Sequence, residues 1–196
     1  MNDTVFRVLA TLLIMVMVSI SVYYRRRADR LSGEKVSLRE EGLTIAIALR
    51  VVGFGLWMSV FAYLINPAWV AWGRIDLPEW ARWLGIIMGI VAVCLCYWIF
   101  SSLGTNVTPT VVTRKAHTLV TGGPYRWVRH PLYVMGIIAF LGFALIAENW
   151  WIALAGLLAF GILAIRTQKE EAQLIERFGD EYRAYMKRTG RYLPMV

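Results

Sequence analysis

Two short polar stretches hold the side chains that could do chemistry. The first, residues 122–133, reads GGPYRWVRHPLY. Gly122, Gly123 and Pro124 signal a chain reversal, with two residues free to take positive φ and then one with φ fixed. Arg126, Arg129 and His130 follow, interleaved with Tyr125, Trp127 and Tyr133. Pro131 suits the first position of a helix, where its missing N–H would be unpaired anyway. His130 then stands at the mouth of that helix, where outward-pointing N–H groups favour anions. The second stretch carries Arg166, Glu170 and Glu171. Arg166 and Glu170 are four apart and so share a helix face. Their base-before-acid order is the weaker one for a merely stabilising pair. A carboxylate there can complement a cation, and a guanidinium can grip an anion through two parallel bonds. Two plainer readings stand beside these: an interfacial basic loop anchored by its aromatics, and a surface salt bridge worth about 0.3–0.5 kcal/mol.

In spelling, His117–Thr118–Leu119–Val120, then Gly123, Tyr125, Arg129–His130–Pro131 and Tyr133, resembles the isoprenylcysteine carboxyl methyltransferase family. It is similar, more weakly, to the phospholipid methyltransferases. Those families follow an R-H-P-x-Y segment with two adjacent glutamates, here Glu170–Glu171. Phe178–Gly179, Glu181–Tyr182, Tyr185 and Leu193–Pro194 then continue the likeness, which covers roughly residues 100 to 194. The N-terminal half matches only as spans. The resemblance implies S-adenosyl-L-methionine as cofactor and a lipophilic small molecule or lipid as methyl acceptor. Carried over by position, the cofactor residues are His117, Leu119, Val120, Tyr125, His130, Pro131, Tyr133 and Glu170, with Thr110 as a further candidate. Arg166 and Glu170 take the catalytic roles. A phospholipid or amine N-methyltransferase is the nearest alternative. A sterol-type membrane reductase also carries an R-H-x-x-Y loop, but the paired glutamates and the H-x-L-V segment speak against it. Nothing argues positively for a non-catalytic scaffold.

The elements that must position these residues are written in hydropathy. The 196 residues are 58% hydrophobic and only 17% charged, with positive mean hydropathy. That composition predicts an all-α integral membrane protein surrounded by membrane lipids. The net charge of +8 is gathered at the ends of apolar runs, and no nucleic-acid motif accompanies it. Two cysteines, Cys94 and Cys96, and two histidines, His117 and His130, offer no metal site. Cys94 and Cys96 point to different helix faces and read as packing residues.

About five transmembrane helices are expected. Residues 5–24 form a retained first span, followed by a charged linker at 25–41. Residues 42–65 form the second, interrupted by Arg50 about two turns from its end, and 80–100 the third. Gly85 and Gly89 in the third are spaced for close helix approach. These three spans make up residues 1–100. The catalytic half, 101–194, divides into a cofactor loop (101–131), a helical hairpin (132–165) and cytoplasmic C-terminal helices (166–190). The hairpin arms, 132–147 and 150–165, flank Glu148–Asn149. Sixteen helical residues reach only about 24 Å, short of the roughly 30 Å hydrocarbon core. Leu174, Ile175 and Phe178 share one face and Tyr182, Tyr185 and Met186 another, with a break at Gly179–Asp180.

Seventeen Lys and Arg residues fall in the linker, the 101–131 loop and the tail, against three (Arg7, Arg74, Arg82) on the opposite side. A multi-pass protein of the plasma (inner) membrane follows, its N-terminus outside and its C-terminus cytoplasmic. The hairpin has a further consequence. Its two cytoplasmic ends lie close together, so His130, Tyr133, Arg166 and Glu170 are expected to converge at the membrane surface.

Overall fold

The computed structural model describes residues 3–32, 43–104 and 118–195. They form six α-helices: α1 Asp3–Ser32, α2 Leu43–Ile65, α3 Glu79–Leu103, α4 Pro131–Ala147, α5 Trp150–Phe178 and α6 Asp180–Arg188. Short 3₁₀ turns occupy Pro67–Gly73 and Gly123–Arg126. Among the described residues β pairing is limited to two isolated bridges, so the fold is all-α as expected. Four helices, α1, α2, α3 and α5, are long and apolar enough to cross a membrane, and α4 at 17 residues is shorter.

Two boundaries differ from the sequence reading. The linker expected at 25–41 begins as helix, because α1 continues through the arginine run to Ser32. Arginine is a good helix former, and no Gly or Pro intervenes before residue 33. Likewise no helix boundary falls at residue 166. α5 is one helix of 29 residues that carries the second hairpin arm straight on through Arg166 and Glu170. It stops at Gly179, whose φ of 55° suits a residue without Cβ and whose N–H bonds to Ile175 O at 2.8 Å. The hairpin turn is as read: Glu148 takes a left-handed conformation, and Asn149 caps α5 by accepting from Ile152 N at 3.1 Å.

α3 packs most extensively on α4 and next on α1; α5 packs on α4 and α2, whereas α1 and α2 barely touch. The two spaced glycines of α3 serve different partners. A Cβ on Gly85 would meet the Gly142 carbonyl oxygen of α4 at 2.5 Å, and one on Gly89 would meet Leu13 of α1. Cys96 is buried in the core that joins α3 to α4, while Cys94 is exposed. Arg50, on the second span, is exposed.

The bundle end away from residues 118–131 is tied by Arg82. Its side chain is buried, pairs with Asp3 of α1 at 2.5 Å, and donates to Tyr63 of α2 and the Ile146 carbonyl of α4, both at 3.0 Å. Glu148 lies 3.7 Å away, and the Phe6 ring sits beneath the guanidinium at 4.0 Å. Arg7 caps α2, donating to Leu64 O and Ile65 O. Two of the three basic residues expected on this side, Arg7 and Arg82, thus hold helices together.

The α3–α4 approach is backbone against backbone, so it cannot relax by moving a side chain. Gly85→Ala is expected to destabilise by about 1–3 kcal/mol. Gly161→Ala, with open space around the new methyl, is expected to be neutral or slightly stabilising. Thermal unfolding of the detergent-solubilised variants compares the two.

Candidate active site

The loop leading into α4 is built on tight turns. Gly123 has φ of 59°, and a Cβ there would collide with the Ser102 side chain of α3. Gly123 and Pro124 open the 3₁₀ turn that ends at Arg126. Beyond it the backbone runs beside the C-terminal tail: Val128 bridges Gly190, Arg129 N donates to Gly190 O at 2.8 Å, and His130 N to Arg191 O at 3.1 Å. Gly190 leaves no room for a side chain, since a Cβ would run into the Leu193 carbonyl. Pro131 then opens α4, with His130 at the N-cap position.

The expected convergence is present. Tyr133 donates through its hydroxyl to Glu170 Oε1 at 2.6 Å, and Arg166 Nε donates to the same oxygen at 3.0 Å. His130 stacks on Tyr133, ring centroids 5.5 Å apart. Its Nδ1 lies 3.6 Å from Glu170 Oε2, beyond hydrogen-bond distance. His130 Nε2 is 3.3 Å from Glu171 Oε1, so the one ring stands between the two glutamates.

Glu171 has a different setting, and its side chain is only 4% exposed. Arg129 Nε reaches it at 2.9 Å, and Arg191 binds both its oxygens. Arg129 also donates to the carbonyls of Met186 and Thr189 at the end of α6. Hydrogen bonding to Glu171, the largest influence, raises the Arg191 pKa against its partial burial. Tyr192, next to Arg191, hydrogen-bonds Thr167 of α5 at 2.7 Å and packs on Phe160. Neighbouring glutamates on a helix point about 100° apart. Glu171 therefore closes the tail onto the loop, while Glu170 faces Tyr133 and Arg166.

Leu119, Val120 and Tyr125 meet elsewhere. With Leu174 and Phe178 of α5 and Tyr182 and Tyr185 of α6 they line a pocket of about 150 Å³. Leu174 and Phe178 follow Glu170 at four and eight residues, so the pocket continues along the Glu170 face of α5. Arg129 also borders it. Tyr185 donates to the Tyr125 carbonyl, and burial pushes its hydroxyl up to about 12, the Arg129 and Arg188 charges partly offsetting this. Tyr182 is 1% exposed, and its hydroxyl has no hydrogen-bond partner among the described residues. Burial and then the Glu171 charge raise its pKa, so it remains a donor. A buried donor without a partner is costly.

Thr110 and His117 lie outside the described residues. Pro131 is buried and starts α4. The sequence reading passed over Arg129 as a clamp, counted Arg191 only among the basic tail residues, and left out Tyr192 and Thr167. Their only signal was position, two of them just before Leu193–Pro194. Among the described residues no cluster of three His, Cys, Asp or Glu could hold a metal ion.

The profile of the phospholipid methyltransferase family matches residues 80–181, just over half of the chain. Human protein-S-isoprenylcysteine O-methyltransferase is 32% identical over 130 residues, 65% of this chain and 46% of that protein. The cobalt-zinc-cadmium resistance protein CzcN of Cupriavidus metallidurans is 27% identical over 143 residues, 72% of this chain and 63% of that one. The chain thus spans about half the length of the isoprenylcysteine relatives it matches. In fold it is similar to the solved structure of the eukaryotic intramembrane Ras methyltransferase ICMT, with TM-score 0.60 and 21% identity, covering 96% of this chain and 68% of that one.

Removing Glu171 would leave Arg129 buried without its counter-charge. Glu171→Ala is expected to cost about 3–5 kcal/mol of stability, whereas Glu170→Gln should cost far less because the amide keeps one acceptor oxygen for Tyr133 and Arg166. Denaturant unfolding followed by tryptophan fluorescence distinguishes them.

Proposed function

The chain belongs to the phospholipid methyltransferase family, with isoprenylcysteine carboxyl methyltransferases among its relatives, and from that membership we propose that it is a membrane methyltransferase that uses S-adenosyl-L-methionine on a lipid-soluble acceptor. Carboxyl O-methylation of an isoprenylcysteine-like or other small lipophilic substrate is the reaction the site suits best. The observation that carries this reading is the continuity along α5: Glu170, held by Tyr133 and Arg166, leads directly into the aromatic pocket with the Tyr182 hydroxyl, which has no hydrogen-bond partner among the described residues.

These residues fit the cofactor's chemistry. Tyr125, Phe178, Tyr182 and Tyr185 would hold its flat base, with the Tyr182 hydroxyl as donor, and Leu119 and Val120 would close the apolar side. Glu170 would complement its positive end. When bound, S-adenosyl-L-methionine supplies a methyl group made electrophilic by a sulfonium. In-line displacement then asks the protein chiefly for positioning. Arg166, oriented by Glu170, would grip the acceptor carboxylate by two parallel bonds. A carboxylate oxygen attacks as it stands, so no general base is required and no proton is released. An amine acceptor would need a base, and a guanidinium beside it would repel its protonated form. Family membership sets the sterol-type reductase aside. The acceptor's apolar chain would enter from the bilayer, where α1 and α2 barely touch. The basic loop and tail would face the cytoplasm, in the plasma (inner) membrane.

Glu170→Gln should weaken S-adenosylhomocysteine binding roughly 10- to 150-fold, the loss of one charge-assisted contact of about 1.5–3 kcal/mol. Arg166→Ala should hold cofactor affinity within a few-fold yet abolish methyl transfer to an S-farnesylcysteine analogue, and Arg166→Lys should recover little. Titration calorimetry and a labelled-methyl assay read the two effects. Full affinity and full turnover in all three variants would sink the assignment. Orientation is tested separately: a reporter fused to the C-terminus should be active only in the cytoplasm.

A further inference from the structure

Beyond α6 the chain stays on the bundle. Arg129 ties the last turn of α6 to the loop before α4 through the Met186 and Thr189 carbonyls, and Val128 bridges Gly190. The tail then runs along α5. The Tyr192 hydroxyl meets Thr167, and its ring centroid lies 5.3 Å from that of Phe160. Phe160 stands five residues, about 7.5 Å, inside the apolar run that ends at Ile165. The tail therefore reaches the depth at which the hydrocarbon begins. The residues after Tyr192 face outward: Leu193 is 77% and Met195 57% exposed, and Pro194 is exposed. They sit on a built turn, since the Leu193 carbonyl packs so closely on Gly190 that no Cβ fits there.

The flanks of this turn are basic. Lys187 and Arg188, both exposed, lie in the last turn of α6, the end that Arg129 holds against the loop. The acids of α6, Asp180 and Glu181, occupy its first turn, about 12 Å away along the axis, and Asp180 pairs with Arg183. On the loop side the Arg126 guanidinium lies 4.5 Å from the centre of the Trp127 ring, and both side chains are exposed. An apolar tip flanked by cations and a tryptophan is the chemistry of a membrane interface. We propose that residues 190–195 are a membrane foot: Leu193 and Met195 enter the leaflet on this side, Lys187, Arg188 and Arg126 meet its anionic phosphates, and the bilayer thereby keeps the Glu171 clamp shut. Lipid is the occupant because the tip lies at the hydrocarbon edge, where the leaflet already surrounds it. The link to the clamp is direct, since Arg191, which binds both Glu171 oxygens, stands between Gly190 and Tyr192. Its side chain is 39% exposed, against 7% for Arg129, so it is the clamp arginine that an outside hold secures most. The proposal rests on the membrane spans and not on the methyltransferase reading.

The test uses the full-length protein at one copy per nanodisc. Spin labels at Leu193→Cys and Met195→Cys, in a Cys94→Ala background that removes the exposed thiol, should collide more with oxygen than with a water-soluble nickel chelate. A label at Glu181→Cys, exposed in the first turn of α6, should show the reverse. Hydrogen exchange reads the clamp, because the Arg129 and His130 amides donate to the tail carbonyls of Gly190 and Arg191. Their exchange should be slower in phosphatidylglycerol discs than in phosphatidylcholine discs, by roughly fivefold per engaged cation. Lys187→Gln with Arg188→Gln should shrink that difference. Leu193→Asp should speed the exchange in both lipids, while the Gly179 amide, bonded to Ile175 O, keeps its rate and shows that α5 is intact. Labels at 193 and 195 that collide mainly with the nickel chelate overturn the proposal. So do equal exchange rates in the two lipids, or an undiminished difference in the double variant. An oxygen preference seen only in discs loaded with two copies would mean a contact between copies and overturns it too.

Discussion

A carboxylate with its side chain only 4% exposed, Glu171, cannot stand without counter-charges. It has two arginines and a histidine, and they come from two segments far from it in sequence. Arg129 and His130 belong to the loop before α4, and Arg191 to the tail after α6. Satisfying one charge therefore fixes the loop, the end of α5 and the tail in one arrangement. Arg129 spends its remaining donors on the carbonyls that end α6, so the same ion also stops that helix. The short backbone pairing of Val128 with Gly190 follows from that closure.

The opposite end of the bundle uses the same logic with the sign reversed. There the buried ion is Arg82, and its partners come from α1, α2 and α4 together with the hairpin turn. Between these two polar ties the contacts are apolar, and the close α3–α4 approach at Gly85 and Gly142 sets the spacing. An apolar interface in a membrane specifies position weakly, because lipid is as apolar as the helix it would replace. Directional bonds at the Arg82 end of α3 and at both ends of α4 supply the register that apolar packing leaves open. The less tied side, between α1 and α2, is also where an apolar cavity of about 360 Å³ lies.

Much of this was legible in the sequence because it is written in period and punctuation. The apolar runs gave the helices, Pro131 gave the start of α4, Glu148–Asn149 the turn before α5 and Gly179–Asp180 its end. The hairpin alone was enough to bring His130, Tyr133, Arg166 and Glu170 together. The boundary at residue 166 was misplaced because hydropathy changes there but helix propensity does not. An apolar run marks where lipid ends, which need not be where the hydrogen-bond ladder ends. The clamp was not legible, because Arg191 and Tyr192 are ordinary tail residues until the tail folds back. Thr110 and His117 stay at the level of resemblance.

The division between adjacent glutamates bears on the proposed chemistry. A methyl transfer of this kind joins a cation and an anion, and the products have lost both charges. Before ligands bind, Arg166 and Glu170 neutralise each other, each presenting the charge opposite to one reactant. A cationic cofactor at Glu170 and an anionic acceptor at Arg166 would each meet a partner already oriented. Little reorganisation would then separate the resting pair from the loaded site. Once both reactant charges are consumed, the pair can close again, which favours release of the neutral products. Such an exchange needs a scaffold that does not move when the pair opens. Glu171 supplies it one residue away, about 100° around the helix, its oxygens committed to Arg129 and Arg191. His130 touches both sides: its ring meets Glu171 and stacks on Tyr133, the donor to Glu170.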